Sequence, residues 1–155
     1  LKEHDVEQSE REKDKNTLPQ SVLVQRKELE GRGRRGIFPD NRFLLKIFSN
    51  EGQKIEEKTY TKWLDYDRIE QELSIRTRQP GDFLIVDDKG SRKKLNRYFI
   101  DEKIPSEERD SILLLCAGSE VLWVVGGRIN ENYKITPRTR RILEIQYQGG
   151  KDNHE

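Results

Sequence analysis

SIRTRQPGDFLIVDDKGSRKKLNRYFIDEKIP, residues 74–105, sets an arginine-bearing strand, a Pro-Gly turn, an apolar strand and a basic helix in unbroken succession. Side chains alternate along a strand, so Leu73, Ile75 and Thr77 face one side of the Glu72–Arg78 segment while Arg76 and Arg78 face the other. This predicts two outward guanidiniums about 7 Å apart, near the spacing of adjacent phosphates. Gln79-Pro80-Gly81-Asp82 has proline and glycine at the second and third positions, where a type II turn requires them. The chain returns as FLIVD, apolar on both faces and therefore interior to a sheet, and Asp87-Asp88-Lys89-Gly90 turns it again.

Ser91 is the expected cap of a helix whose first turn is Arg92-Lys93-Lys94, with Leu95 and Phe99 on its buried face and Arg97 turned away. Cations in a first turn oppose the macrodipole by roughly a few tenths of a kcal/mol each. Either an anion docks at the helix start and relieves that cost, or solvent screens it; the residues leave both open.

Downstream, Pro105 with Ser106-Glu107-Glu108 reads as a second short helix. Ile112–Ala117 and Val121–Val125, joined by Gly118-Ser119-Glu120, read as a buried hairpin containing Trp123, the densest part of the core. Gly126-Gly127-Arg128 permits close backbone approach; Arg128 is either a turn residue or a partner for an oxyanion. Thr136-Pro137 resembles a cap and first helical turn leading to a last strand, ILEIQY. Upstream, Ser21–Glu28 alternates around Val22 and Val24, and FLLKIF at 43–48 is a strand. Between them, GRGRRGIFPDN is a basic loop carrying Arg32, Arg34 and Arg35. Within 53–72, Trp63, Leu64, Tyr66 and Ile69 read as packing residues, Trp63 as core in preference to a base-stacking surface.

Apolar residues make up 32% of the 155 and charged residues 38%, so burial must be concentrated in those few segments. The net charge of +1 conceals segregation. Residues 26–46, 89–103 and 126–141 are each strongly basic, and 1–15 and 51–72 are acidic. The single cysteine, Cys116, excludes an intrachain disulfide and a thiolate zinc site. His4 and His154 lie in polar ends, and no apolar run approaches a membrane span, so an intracellular, cytoplasmic location is expected. No P-loop, dinucleotide fingerprint, HExxH site or nucleophile elbow is present, and Asp87-Asp88 and Glu107-Glu108 sit where a turn and a helix start need acids. Stand-alone catalysis is therefore not expected. The chain begins with Leu1 and has no methionine, which points to a piece of a longer protein.

IRTRQPGD at 75–82, KKLNRYFIDEKIPSEER at 93–109, LLLCAGSEVLWVVGGRI at 113–129 and YKITPRTRRILEI at 133–145, in that order and spacing, resemble the carboxy-terminal domain of bacterial tRNA-isoleucine lysidine synthetases. The resemblance covers roughly residues 60–147. It implies an α+β, β-rich fold, a sandwich of mixed strands with short helices. It also implies a parent ligase that uses ATP to join lysine to the wobble cytidine of isoleucine tRNA, with ATP, Mg and lysine held by an amino-terminal PP-loop domain. That domain's SGGxDS motif is missing here, since no serine precedes a glycine, so no cofactor is expected on this chain. The implied partners are the acceptor stem of isoleucine tRNA and the enzyme's own catalytic domain, with a homodimer through the full-length enzyme compatible and no membrane contact. The expected organisation is a charged linker or tail at 1–19, a compact domain at 20–148 in which 20–59 match less clearly, and a polar tail at 149–155.

Duplex RNA is contacted mainly through phosphates and 2′-hydroxyls, which suits dispersed cations on a rigid β-rich platform. The expected contacts are Arg76, Arg78, Lys93, Lys94, Arg97 and Arg128, with Lys103 and Arg109 at the edge. Two rival readings are a protein-docking module of the same enzyme and an RNA-binding domain without specificity.

Overall fold

The computed structural model describes residues 21–24, 36–38, 42–56 and 58–149. Arg32, Arg34 and Arg35, both histidines and the expected tails apart from Gly149 lie outside the described residues, whereas Gly36–Phe38 of the expected basic loop is a strand paired with the FLLKIF segment. Ten strands form two sheets, as expected of a β-rich sandwich. The first sheet contains β1 (Ser21–Val24), β5 (Leu73–Arg76), β6 (Phe83–Ile85), β7 (Arg92–Lys94), β8 (Leu114–Ala117) and β9 (Glu120–Val124), in the order β1-β5-β8-β9-β6-β7. The second contains β2 (Gly36–Phe38), β3 (Phe43–Ser49), β4 (Thr61–Asp65) and β10 (Arg141–Tyr147), in the order β2-β3-β10-β4. All pairings are antiparallel except β6 with β9, which meet in parallel at Phe83 and Glu120.

Alternation explains the sandwich. Phe43 and Leu45 of β3, Leu64 of β4 and Leu143 and Ile145 of β10 point inward from the second sheet. They meet Leu73 and Ile75 of β5, Leu115 and Ala117 of β8, and Leu122 and Trp123 of β9. Trp123 is fully buried, and its indole N–H has no hydrogen-bond partner among the described residues.

The opposite face of the first sheet is covered as well. Leu84, Leu114, Cys116, Val121 and Val124 pack under Leu95, Tyr98 and Phe99 of the helix α1 (Leu95–Asp101). Both faces of the six-stranded sheet are therefore buried, which accounts for the continuous apolar runs of β8 and β9.

The Pro-Gly turn forms as the residues require, with Gly81 at φ +90° and the Asp82 N–H donating to the Gln79 carbonyl at 3.3 Å. The hairpin of β8 and β9 is also as expected, with a register shift between Leu115 and Cys116.

Two expectations fail. Arg92-Lys93-Lys94 is the edge strand β7, not a helical turn: it pairs with Ile85, Leu84 and Phe83, and α1 begins only at Leu95, after Lys94 at its cap position. Sheet pairing outweighs the weak local preference of three polar residues, so Arg92 and Lys93 leave the helix's first turn and only Lys94 stays at its amino end. Thr136-Pro137 likewise opens a turn without a helix; the Thr139 N–H donates to the Thr136 carbonyl at 3.0 Å, and β10 follows. Ser106–Ser111 is helical as expected, but of the tighter 3-10 type. Among the described residues, no helix is long and apolar enough to cross a membrane.

Candidate nucleic-acid interface

β7 is the outer strand of the first sheet and consists entirely of cations. Lys93 points to the α1 side, where its ammonium donates to Asp101 Oδ2 at 2.6 Å. Arg97, one turn into α1 and largely exposed, reaches the same carboxylate at 3.2 Å. The hydrogen bond from Lys93, followed by the field of Arg97, holds the Asp101 carboxyl below its usual range. Asp101 thus fixes two cations side by side while neutralising only one charge.

Arg92 and Lys94 lie on the other side of the strand. The Arg92 guanidinium stacks over the Phe83 ring at 4.0 Å, and Lys94 is exposed. Cations along an exposed edge also discourage pairing with another sheet.

The remaining expected contacts divide by environment. Arg76 does not project outward. It is buried, and its guanidinium makes a two-pronged ion pair with Asp82, Nη1 to Oδ2 and Nη2 to Oδ1, both at 2.9 Å. The same two nitrogens donate to the Thr77 and Gly118 carbonyls at 3.0 Å. The hydrogen bond to Asp82 raises the guanidinium's pKa above its ordinary value, against the opposing effect of burial. The alternation argument placed Arg76 correctly on the second face of β5, but that face is covered.

Arg78 lies beyond the end of β5, so strand alternation no longer governs it. It donates to Asn96 Oδ1, in the first turn of α1, and to Asp110 Oδ1 of the 3-10 turn, each at 2.8 Å, with its charge 6.0 Å from the centre of the Phe99 ring. Arg109 is half-buried and donates twice to the Ile104 carbonyl, at 2.9 and 2.8 Å, which locks the turn after α1. Lys103 terminates α1 at φ +59°, while the Ile104 and Lys103 amides close back onto Phe99 and Ile100. A glycine usually occupies that left-handed position. Its cationic side chain is exposed at the helix carboxyl end, where the dipole favours it.

Arg128 follows the tight turn that Gly126-Gly127 allows, with Tyr98 Oη 2.8 Å from where a Cβ on Gly127 would lie. Its guanidinium donates to the Ile129 carbonyl at 3.1 Å, the Val86 carbonyl at 3.4 Å and Glu131 at 3.3 Å. The structure thus gathers Lys93, Lys94, Arg97 and Arg92 along one rim, with Arg78 at the amino end of α1 and Lys103 at its carboxyl end. It assigns Arg76 and Arg109 to internal bonds.

Sequence reasoning missed Arg92 as a separate contact, because it was read as part of a helical turn. It also assigned Trp63 to the core. Alternation from buried Leu64 puts Trp63 on the outer face of the second sheet, half-exposed, with its N–H on Glu144 at 2.8 Å and its ring edge-on to Phe48. Among the described residues, no group of three or more His, Cys, Asp and Glu could hold a metal ion.

A two-sheet sandwich with one covering helix and an all-cationic rim is a scaffold that presents charge from rigid elements. Residues 73–146 match the family described as the TilS substrate C-terminal domain. The chain is 44% identical over 88 residues to a tRNA(Ile)-lysidine synthase of Caldanaerobacter subterraneus, covering 57% of this chain and 19% of that protein. It is 40% identical over 103 residues to that of Clostridium perfringens, covering 66% and 22%. A solved structure titled "Crystal structure of TILS C-terminal domain" superposes with a TM-score of 0.53 at 26% identity, covering 72% of this chain and 88% of that one. Residues 73–146 carry the C-terminal domain of the tRNA(Ile)-lysidine synthase family, and the chain spans about a fifth of the length of the curated relatives it matches.

Proposed function

We propose that this domain binds the acceptor-stem region of isoleucine tRNA, holding it while a separate catalytic domain attaches lysine to the wobble cytidine. In that reading ATP, Mg and lysine belong to the catalytic domain, and the setting is the cytoplasm. The observation that carries the reading is the rim of β7 and α1, where Arg92, Lys93, Lys94 and Arg97 stand on a sheet buried on both faces. Such a rim meets phosphates at fixed spacing without ordering a loop, and α1 and the sheet hold it rigid. Arg78 and Lys103 extend it to either end of the helix. Arg76 leaves the proposed contact set, because its two terminal nitrogens are bonded inside the domain, and Arg109 is excluded because its guanidinium is anchored on the Ile104 carbonyl. The names of the relatives supply the choice of tRNA.

A protein-docking face would need a broad exposed apolar patch. Among the described residues, the exposed large hydrophobic side chains are Ile55 and Ile100, on separate segments of the chain.

The test is a salt titration of the chain against isoleucine tRNA and an unrelated tRNA, with a Lys94→Glu, Arg97→Glu variant alongside. About four phosphate contacts give a slope near four decades of affinity per decade of salt. The variant should weaken binding to isoleucine tRNA at least tenfold and flatten that slope. A salt-independent affinity, or a variant that binds as well as the native chain, refutes the interface. Equal affinity for both tRNAs shows a general RNA binder.

A further inference from the structure

A cleft of about 540 Å³ runs along the outer edge of β4, and the stem-binding reading does not use it. Its cationic side is Lys62, Arg128 and Lys134, and its apolar walls are Ile55, Ile129 and Trp63. Lys62 is half-buried and has no hydrogen-bond or ion-pair partner among the described residues, so its ammonium is available to an anion in the cleft. Arg128 and Lys134 share one carboxylate, that of Glu131, at 3.3 and 3.1 Å, so the acid satisfies one charge of two. Glu56, also on the rim, lies 3.7 Å from Lys58. The cleft therefore keeps a positive excess beside aliphatic and aromatic walls.

Trp63 is suited to a flat ligand. Its hydrogen bond to Glu144 and its edge contact with Phe48 fix the plane of the ring, and the indole forms the partition between this cleft and a second hollow over Phe48. The second hollow carries Lys46 against Glu51 and Glu144 and lacks the positive excess, so the anion belongs on the Lys62 side.

A hydrogen-bond relay ties one wall of the cleft to the chain just before the basic rim. Arg128 donates to the Val86 carbonyl, and the Val86 N–H donates to Ser91, the residue before β7. Volumes of about 300–1,000 Å³ take nucleotide-sized ligands, and a duplex is far too wide to enter.

We propose that this cleft takes one unpaired nucleotide of an RNA whose paired stem lies along the β7 rim, with its phosphate on Lys62 and its base against Trp63. The proposal rests on the RNA-binding reading above. Arg128 acts in it as a positioning residue, since its donors are already committed to main-chain oxygens and Glu131.

The experiment uses the full chain, a blunt RNA hairpin, and the same hairpin with a four-nucleotide 3′ overhang. Trp123 is fully buried, so quenching of tryptophan emission reports Trp63. The overhang should tighten binding about tenfold, within the range for one stacked base, and quench the emission. Lys62→Ala should remove most of that gain while leaving blunt-hairpin affinity and the melting temperature unchanged. An overhang without effect, or a Lys62→Ala loss equal for both hairpins, overturns the cleft proposal and leaves the stem interface standing. Overhang-dependent quenching without any blunt-hairpin binding supports the cleft and refutes the stem reading. Quenching by a tetraglutamate peptide but not by RNA identifies a protein-docking groove and overturns the proposal.

Discussion

Replacing Arg76 with alanine tests whether this arginine holds the fold together or reads a ligand. The pair it forms with Asp82 is nearly sealed, the two side chains being 5% and 2% exposed. Alanine strands the Asp82 carboxylate with only the Gln79 N–H, at 2.8 Å, and leaves the Gly118 carbonyl without its guanidinium donor. Breaking a buried pair from one side costs about 3–5 kcal/mol, a large part of the ~5–15 kcal/mol that stabilises a typical domain. With a urea dependence of about 2 kcal/mol per molar, the unfolding midpoint should fall by about 2 M. Arg76→Lys should recover only part of this, because an ammonium lacks the fork that meets both carboxylate oxygens. The Arg76→Met, Asp82→Leu double variant should be more stable than either single truncation, since no charge is then left buried and alone. Urea unfolding of the four proteins, with RNA affinity measured well below each midpoint, separates the two roles. If Arg76→Ala keeps the native midpoint within about 1 kcal/mol and loses RNA binding, the internal role is wrong and Arg76 is a contact after all.

Burial pushes the Cys116 thiol up to about 12, with Arg76 only partly opposing it, so alkylation at pH 8 should be undetectable by mass in the native chain and rapid in urea. Gly127→Ala should cost about 1–3 kcal/mol by overpacking, because the new Cβ would sit 2.8 Å from Tyr98 Oη and 3.3 Å from the Val124 carbonyl; a lower melting temperature checks it. The hydrogen bond from Arg141 holds the Asp67 carboxyl below its ordinary 3.8, so this pair's stabilisation is present above about pH 4 and lost as pH falls through the depressed value. Asp67→Asn should therefore lower the melting temperature at pH 6, with the difference from the native chain closing below pH 4; a difference that persists into acid contradicts the pairing.

Much of the sandwich was legible where punctuation and alternation agree. The Pro80-Gly81 turn, the Gly118 hairpin and the runs of β3, β6, β8, β9 and β10 each carry a local signal that tertiary packing only confirms. Two kinds of feature were not legible. The helix start was misplaced because Arg92-Lys93-Lys94 has no apolar rhythm of its own; what makes it a strand is the unpaired edge of Phe83-Leu84-Ile85. Arg76 and Trp63 were misassigned because alternation tells which face a residue takes and nothing of what covers that face. For Arg76 the partner is Asp82, six positions on across the turn, and the Thr77 and Gly118 carbonyls take up its remaining bonds. For Trp63 no layer among the described residues covers that face of the second sheet, so the aromatic remains half-exposed. The cleft beside β4 draws on four separate segments of the chain, and no window of sequence contains it.

β10 pairs with β3 on one side and β4 on the other, although it is the last strand among the described residues. During synthesis the amino-terminal partners leave the ribosome first and have nothing to bridge them, since β3 and β4 do not pair with each other. The second sheet, and with it half of the main core, closes only when residues 141–147 emerge. Translation that stops a dozen codons short of Tyr147 therefore leaves β3 and β4 as open edges with exposed apolar faces, a species for chaperones and proteases to remove. The domain thus carries its own check that the message was read almost to the end of this region.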